Sequence, residues 1–423
     1  MELNLNKVHT SRNAIDKVIL LLIFLLAALP FGQVFYLKLG FITFNLFELI
    51  YLGIVFLIVI KILTFGKIRK ALNPFLSFFI IVVIYFLISV VFYKVSIDEF
   101  LRQFRLNYFQ FFIATMLLLV NIDIETENYL YLLCIAGALG SALDLTMYYF
   151  MPNVLAKMLS SSEDLLRLTF SSGYLYWPNS TIIFFIVLFI LLPEKKIRIK
   201  KPILSLILLF CLWALFYTFN RTMMIGLIIF LFGYAFLKKD KIFKKDYSNV
   251  FVLILILLVV ICIAFSSPVI RSLVIRRYFG SGYGFRQIYE LSIVNQRYSL
   301  YNQYLESLRS YFPIGQGLGR PFSIGWDGVN IFVTDISFVQ FLLPFGVFGI
   351  FIFYSFLRTL FKLTLMQKKF INPSKINLIV LLLGVMLVVS LNFDVYVRNN
   401  FVIFATVLVL TLQNSRKVNG SNE

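Results

Sequence analysis

The sequence predicts an all-α, polytopic integral membrane protein of about twelve transmembrane helices. Composition is the first sign. Of the 423 residues, 60% are apolar and only 14% charged, with a mean hydropathy of +0.90. A soluble domain is about half apolar and a quarter charged. The second sign is length: at roughly 20 apolar residues per crossing, the apolar content fills about twelve crossings. The third is that the apolar residues are gathered into runs of span length, with basic residues between them. These observations exclude a soluble enzyme, a disordered tail and a secreted disulfide scaffold.

The runs lie near 17–37, 42–63, 75–93, 104–120, 129–151, 174–192, 203–219, 222–237, 249–265, 333–357, 376–391 and 396–413. The first reads as a retained span, because it is long for a signal peptide and Glu2 and Asp16 precede it. Only Asn220, Arg221 and Thr222 separate the seventh run from the eighth, so these two form a tight hairpin with Arg221 at its tip. Pro344 and Gly346 inside 333–357 predict a kink. The chain 1–423 reads as one membrane domain, and 266–332 is its one large loop. Within that loop, Tyr298, Tyr301, Tyr304, Leu305 and Leu308 recur at helical spacing, an amphipathic helix against the membrane surface. Pro313 ends it, and Gly315-Gln316-Gly317-Leu318-Gly319 follows as a turn. A shorter loop, 152–173, reads as partly helical.

Charge orients the spans. The net charge of +19 would point to nucleic acid in a soluble protein. Here topology has the first claim on it, and no nucleic-acid partner is predicted. With both termini cytoplasmic, 24 of the 39 Lys and Arg fall in inside segments, as the positive-inside rule requires. Lysine dominates inside, where only five of the 24 are Arg, but 12 of the 15 outer cations are Arg. Orientation needs only charge, whereas a guanidinium adds a planar fork that binds phosphate bidentately. Seven of the outer Arg lie in 266–332, with only Glu290, Glu306 and Asp327 to pair with. This pattern predicts an outer-face site for a phosphorylated, membrane-bound substrate, such as a polyprenyl diphosphate carrying a sugar. The bland alternative is pairing with lipid headgroups or loop carboxylates.

Metal chemistry finds few ligands in the sequence. His9 is the single histidine, and Cys134, Cys211 and Cys262 all sit in apolar runs. No Asp-x-Asp-type motif lies outside, and the acidic cluster Asp123, Glu125 and Glu127 falls on the inner side. Glu48 and Asp144 lie within spans, where ionisable groups are expensive.

Three patches resemble the O-antigen ligase and polymerase superfamily, polytopic glycosyltransferases of the GT-C kind. Thr218-Phe219-Asn220-Arg221-Thr222 resembles the family's Ser-Arg pair at a span end. Arg297-Tyr298-Ser299-Leu300-Tyr301, running on to Phe312-Pro313 and Gly315-Gln316-Gly317, is similar to its Arg-x-x-x-aromatic helix and Pro-x-x-Gly-x-Gly turn. Asp335-Ile336-Ser337, followed by Pro344-Phe345-Gly346, resembles its His-Asn start of a span. The likeness covers about 203–360. Asn220 replaces the usual Ser, and Asp335 stands where ligases carry His.

That departure favours a polymerase of lipid-linked oligosaccharide repeat units, for O-antigen, capsule or exopolysaccharide, on the outer face of the bacterial cytoplasmic membrane. The alternatives are a ligase of finished glycan and a flippase or other transporter of lipid-linked sugars. The resemblance implies an undecaprenyl-diphosphate-linked donor and acceptor, membrane lipids, and as partners a chain-length regulator and a flippase. With no outer metal motif and no cofactor expected, cations must neutralise the leaving diphosphate. Arg221 and Arg297 are the first candidates, followed by Arg276 and Arg286. Arg102, Arg105 and Arg320 join the substrate site with Gly315 and Gly317 of the turn. Asp335 is the candidate base for the acceptor hydroxyl; its structural alternatives are a helix cap or a pair with Arg320.

Overall fold

The structure is a computed structural model. It describes residues 2–29, 36–39, 42–65, 73–120, 122, 126–150, 221–237, 292–324, 330–331, 337–369, 373–390 and 400–419. The runs at 174–192, 203–219 and 249–265 and the loop 152–173 lie outside them.

The described chain is mostly helical. In order it forms α1 (Glu2–Ala28), a hairpin of β1 (Tyr36–Leu39) and β2 (Ile42–Asn45), α2 (Leu46–Phe65) and α3 (Asn73–Leu87). A π-helical turn, Ile88–Phe92, extends α3. Next come α4 (Ile97–Asn107), α5 (Phe109–Leu119), α6 (Thr126–Phe150), α7 (Arg221–Leu237) and α8 (Ser292–Tyr311). A two-residue pairing of β3 (Ser323–Ile324) with β4 (Asn330–Ile331) precedes α9 (Ser337–Leu365), α10 (Pro373–Val389) and α11 (Phe401–Asn419).

Among the described residues, three helices are long and apolar enough to cross a membrane: α2, α3 with its π turn, and α9. Their surfaces carry the same message. On α2, Phe47, Ile50, Tyr51, Ile54 and Ile58 face inward at helical spacing, while Leu52, Phe56 and Leu63 are exposed. On α3, Phe78, Ile81 and Tyr85 are buried, and Phe79, Ile80, Val83 and Ile84 point out. A helix apolar on both faces is solvated by lipid on the outer one.

Helix starts follow local chemistry. Pro74 and Pro373 sit in first turns, where their missing N–H is no loss. Asn45 and Glu48 cap α2 reciprocally: Glu48 N–H donates to Asn45 Oδ1 and Asn45 N–H to Glu48 Oε2, both at 2.8 Å. Ser96 and Glu99 do the same for α4.

The core sits around α5 and the apolar half of α11, both buried on every side. Helices α2, α3, α6 and α9 pack on one or both of them. Phe111 of α5 touches the rings of Phe78, Phe341 and Phe356, with centroids 4.7–5.1 Å apart. Such edge-on pairs add to plain burial. Asp16 of α1 pairs with Lys61 of α2, both buried.

Several boundaries differ from the sequence reading. Within the run 17–37 helix α1 ends at Ala28, and Tyr36–Leu39 pairs antiparallel with Ile42–Asn45. The run 104–120 joins the end of α4 to α5 through Tyr108, whose backbone still carries the helix hydrogen bonds on both sides. The described part of α8, Ser292–Tyr311, packs on α9; its Tyr304 is buried with Phe322 and Leu343. Leu308 joins that cluster and Leu305 faces outward.

The kink expected from Pro344 and Gly346 is a complete break. Gly346 has φ 56° and ψ −138°, a conformation that strains any side chain. A Cβ at Gly349 would lie 2.1 Å from the Phe341 carbonyl oxygen. In a straight helix those residues are about 12 Å apart along the axis. At Gly346 itself a Cβ would lie 2.0 Å from Pro313 O. Gly346→Ala is therefore expected to lower stability by about 2–4 kcal/mol in thermal unfolding of the detergent-solubilised protein. Gly384→Ala, with open space around it, is expected to be neutral or slightly stabilising.

Candidate functional site

The broken α9 is completed by another part of the chain. A proline removes one donor and a break diverts others, leaving carbonyls that must find partners. The Gln340 carbonyl, orphaned by Pro344, accepts from the Tyr108 hydroxyl. Leu343 O accepts from Gln316 N–H at 2.9 Å, and Pro344 O from Gly317 N–H at 3.0 Å. Phe345 O accepts from the Tyr85 hydroxyl at 2.8 Å, which it shares with Ile314 O. Val347 N–H, freed from the helix, donates to Pro313 O at 3.0 Å. The segment 313–317 thus lies in the break as a short backbone partner.

Glycine makes this approach possible. Gly315 has φ 92°, and a Cβ there would meet Gly346 N at 2.5 Å. Gly317 has φ 80° and packs on Ser89 and Tyr93; Gly319, at φ 88°, packs on Val95 and Phe100. Leu318 N–H donates to Ser89 Oγ at 3.0 Å, and Gly319 N–H donates to Gln103 Oε1. Gly315 N–H bonds back to Tyr311 O. All five amides from Gly315 to Gly319 are therefore used within the protein. The π turn at the end of α3 and the left-handed Lys94 (φ 54°) bring Ser89, Tyr93 and Val95 to this contact.

Arg320 follows directly. Its guanidinium lies over the rings of Tyr93 (4.7 Å) and Tyr311 (5.1 Å), which are edge-on to each other. Its carbonyl accepts from the buried Gln316 amide at 3.3 Å. No carboxylate pairs with it among the described residues. On α4, Gln103 touches Gly319 from between the two arginines of that helix. Arg105 Nε lies 2.8 Å from Glu48 Oε1, an ion pair without the alignment of a hydrogen bond. The Arg105 guanidinium also covers the Phe44 ring at 5.3 Å. Arg102 is exposed. Deeper in, Tyr51 of α2 bonds to Asn400, and the polar Gln103, Asn107 and Gln110 are buried at i, i+4, i+7 spacing.

The structure brings Gly315, Gly317 and Arg320 together with the α4 segment that carries Arg102 and Arg105. Arg221 is the first residue of α7 and Arg297 lies on the first half of α8; the structure describes the backbone of both and not their side chains. Arg276, Arg286 and Asp335 lie outside the described residues, with Asp335 two positions before α9. The sequence reading did not single out Tyr85, Ser89, Tyr93, Gln103 or Tyr108. The signals available were the few hydroxyl-bearing residues in the apolar run 75–93, Ser77 and Ser89 among them, and the i, i+4, i+7 stripe of amides on α4 and α5.

Compared with models of known protein families and with curated proteins, the sequence matches none. Tyr108→Phe leaves the buried Gln340 carbonyl without its donor. It is expected to cost about 1–3 kcal/mol in thermal unfolding, whereas Tyr354→Phe, at an exposed ring, is expected to be neutral.

Proposed function

We propose that this protein polymerises lipid-linked oligosaccharide repeat units on the outer face of the bacterial cytoplasmic membrane. The proposal includes about twelve spans in a GT-C-like arrangement, with both termini cytoplasmic. One structural observation supports it most. Arg320 is a partly buried cation at a broken helix, held by aromatic rings, with no carboxylate partner among the described residues. Rings packed against a guanidinium restrict its motion and leave its N–H groups for an anion that presents two acceptor oxygens side by side. A diphosphate has that form. The excess of arginine over lysine among the outer cations points the same way.

The reaction moves a glycan from its polyprenyl diphosphate to a hydroxyl of a second lipid-linked unit. The acceptor oxygen forms a bond to the anomeric carbon, and the bond from that carbon to the diphosphate oxygen breaks. Polyprenyl diphosphate leaves with the bonding electron pair, and the hydroxyl proton passes to Asp335. Arg221, Arg297 and Arg320 neutralise the leaving charge, with Arg276 and Arg286 as the next candidates for the same role. One preorganised donor of this kind is worth about 3–4 kcal/mol of barrier. Asp335 in place of the ligases' His favours polymerase over ligase.

Deleting the gene and resolving the surface glycan on a gel tests the reading. A single repeat unit left on its anchor is the expected result. Free long polymer with none attached indicates a ligase, and intermediates held inside indicate a flippase; either contradicts the proposal. In the complemented strain, Arg297→Ala and Arg320→Ala are each expected to shorten the chains strongly at unchanged protein level. Full-length chains from both variants would remove the site assignment.

A further inference from the structure

We propose that α4 carries a binding site for a lipid phosphate, built from Arg102 and Arg105 and oriented by Glu48. The proposal deepens the reading above by placing the substrate's phosphate end, and it can be tested without any glycan.

Helix α4 follows the end of the α3 span by four residues, so it starts where that span leaves the apolar layer. Phe100 is buried inward, whereas Ile97 and Leu101 are more than half exposed. A short amphipathic helix with outward apolar residues at a span end lies in the membrane interface. Lipid phosphates occupy that depth.

The two arginines are one turn apart and share a face. They differ in how they are held. The Arg105 side chain is 30% exposed, and its Nε is turned to Glu48, whose own side chain is 4% exposed. Glu48 cannot swing away, because its other oxygen closes the cap of α2 with Asn45. The Phe44 ring covers one face of the same guanidinium. Nε and one face are thus taken up, and the terminal nitrogens have no acceptor among the described residues. Arg102 forms no ion pair with Asp98 or Glu99 among the described residues, and Glu99 is engaged with Ser96. One anchored fork and one exposed cation, one turn apart at phosphate depth, form an anion clamp. Glu48 acts as a positioning residue: it neutralises part of the Arg105 charge and fixes its direction without touching the ligand.

The chemistry is shared by two sources, a polyprenyl phosphate carrier and an anionic bilayer lipid. The test uses the full-length protein in neutral detergent and measures retained lipid by native mass spectrometry across a salt series. The probes are undecaprenyl monophosphate, dioleoyl phosphatidylglycerol and dioleoyl phosphatidylcholine. Saturable binding of one or both anionic lipids is expected, weakening with salt. A preference for the polyprenyl lipid assigns the site to the carrier, and equal binding of both assigns it to the bilayer lipid.

The R102Q/R105Q double variant is expected to bind about tenfold more weakly and to lose most of the salt dependence. Glu48→Ala should weaken binding, whereas Glu48→Gln, which keeps an oxygen facing Nε, should hold it within about threefold. Unchanged affinity in a double variant that elutes and melts like the parent overturns the site. So does equal, salt-independent binding of phosphatidylcholine. Equal losses in Glu48→Ala and Glu48→Gln overturn the positioning role. Binding that behaves as expected in a protein whose deletion leaves glycan length unchanged keeps this site and removes the polymerase reading.

Discussion

A carbonyl inside the apolar layer has no water to bond, so each one that a helix releases must be met by another donor. Helix α9 releases four in one place: Gln340, Leu343, Pro344 and Phe345. Two are met by tyrosine hydroxyls from neighbouring helices and two by amides of the segment after α8. The single amide freed at Val347 returns to that segment at Pro313. The break and the segment are thus two halves of one hydrogen-bonded unit. Either half alone would expose polar backbone to lipid.

This unit sets what can stand around it. Helix α8, which carries Arg297, runs into the segment through Tyr311 and packs on the N-terminal half of α9. In the sequence, Asp335 stands two positions before that half. Arg320 leaves the segment on the side of Tyr93, and Gly319 meets Gln103 of α4, between Arg102 and Arg105. Elements far apart in sequence are therefore tied to one fixed backbone contact, and the cations they carry are positioned by it. Under the proposed function this rigidity would serve the neutralisation of a diphosphate, because preorganised charge costs no rearrangement during reaction.

Much of the bundle was legible in the sequence. Apolar runs at 75–93, 222–237 and 376–391 nearly coincide with helices, since a sustained apolar run of that length is a local signal for a buried or lipid-facing helix. Pro344 and Gly346 announced the break, because a missing donor and a glycine-only conformation are local properties. What filled the break was not legible. Gly315 and Gly317 were read as a substrate turn; the structure shows their amides committed to Tyr311 and Pro344. A glycine pair signals close approach, and nothing in its spacing says to what. Tyr85, Ser89 and Tyr108 were hidden for a related reason: among the many residues of the apolar runs from α3 to α5, only tertiary contact distinguishes those whose hydroxyls bond to the break or to the segment that fills it. The hairpin after α1 escaped because its alternating apolar residues continue the apolar run of the span.

Hydrogen–deuterium exchange of the intact protein, resolved across residues 312–320 and 345–348, tests the central claim most directly. None of the amides of Gly315 to Gly319 lies in a regular helix or strand, yet each is hydrogen-bonded. The account predicts that all five exchange as slowly as the amides of α9, and that Gly346→Ala releases them together with Val347. Rapid exchange of the segment in the parent protein, alongside a protected α9, would contradict it.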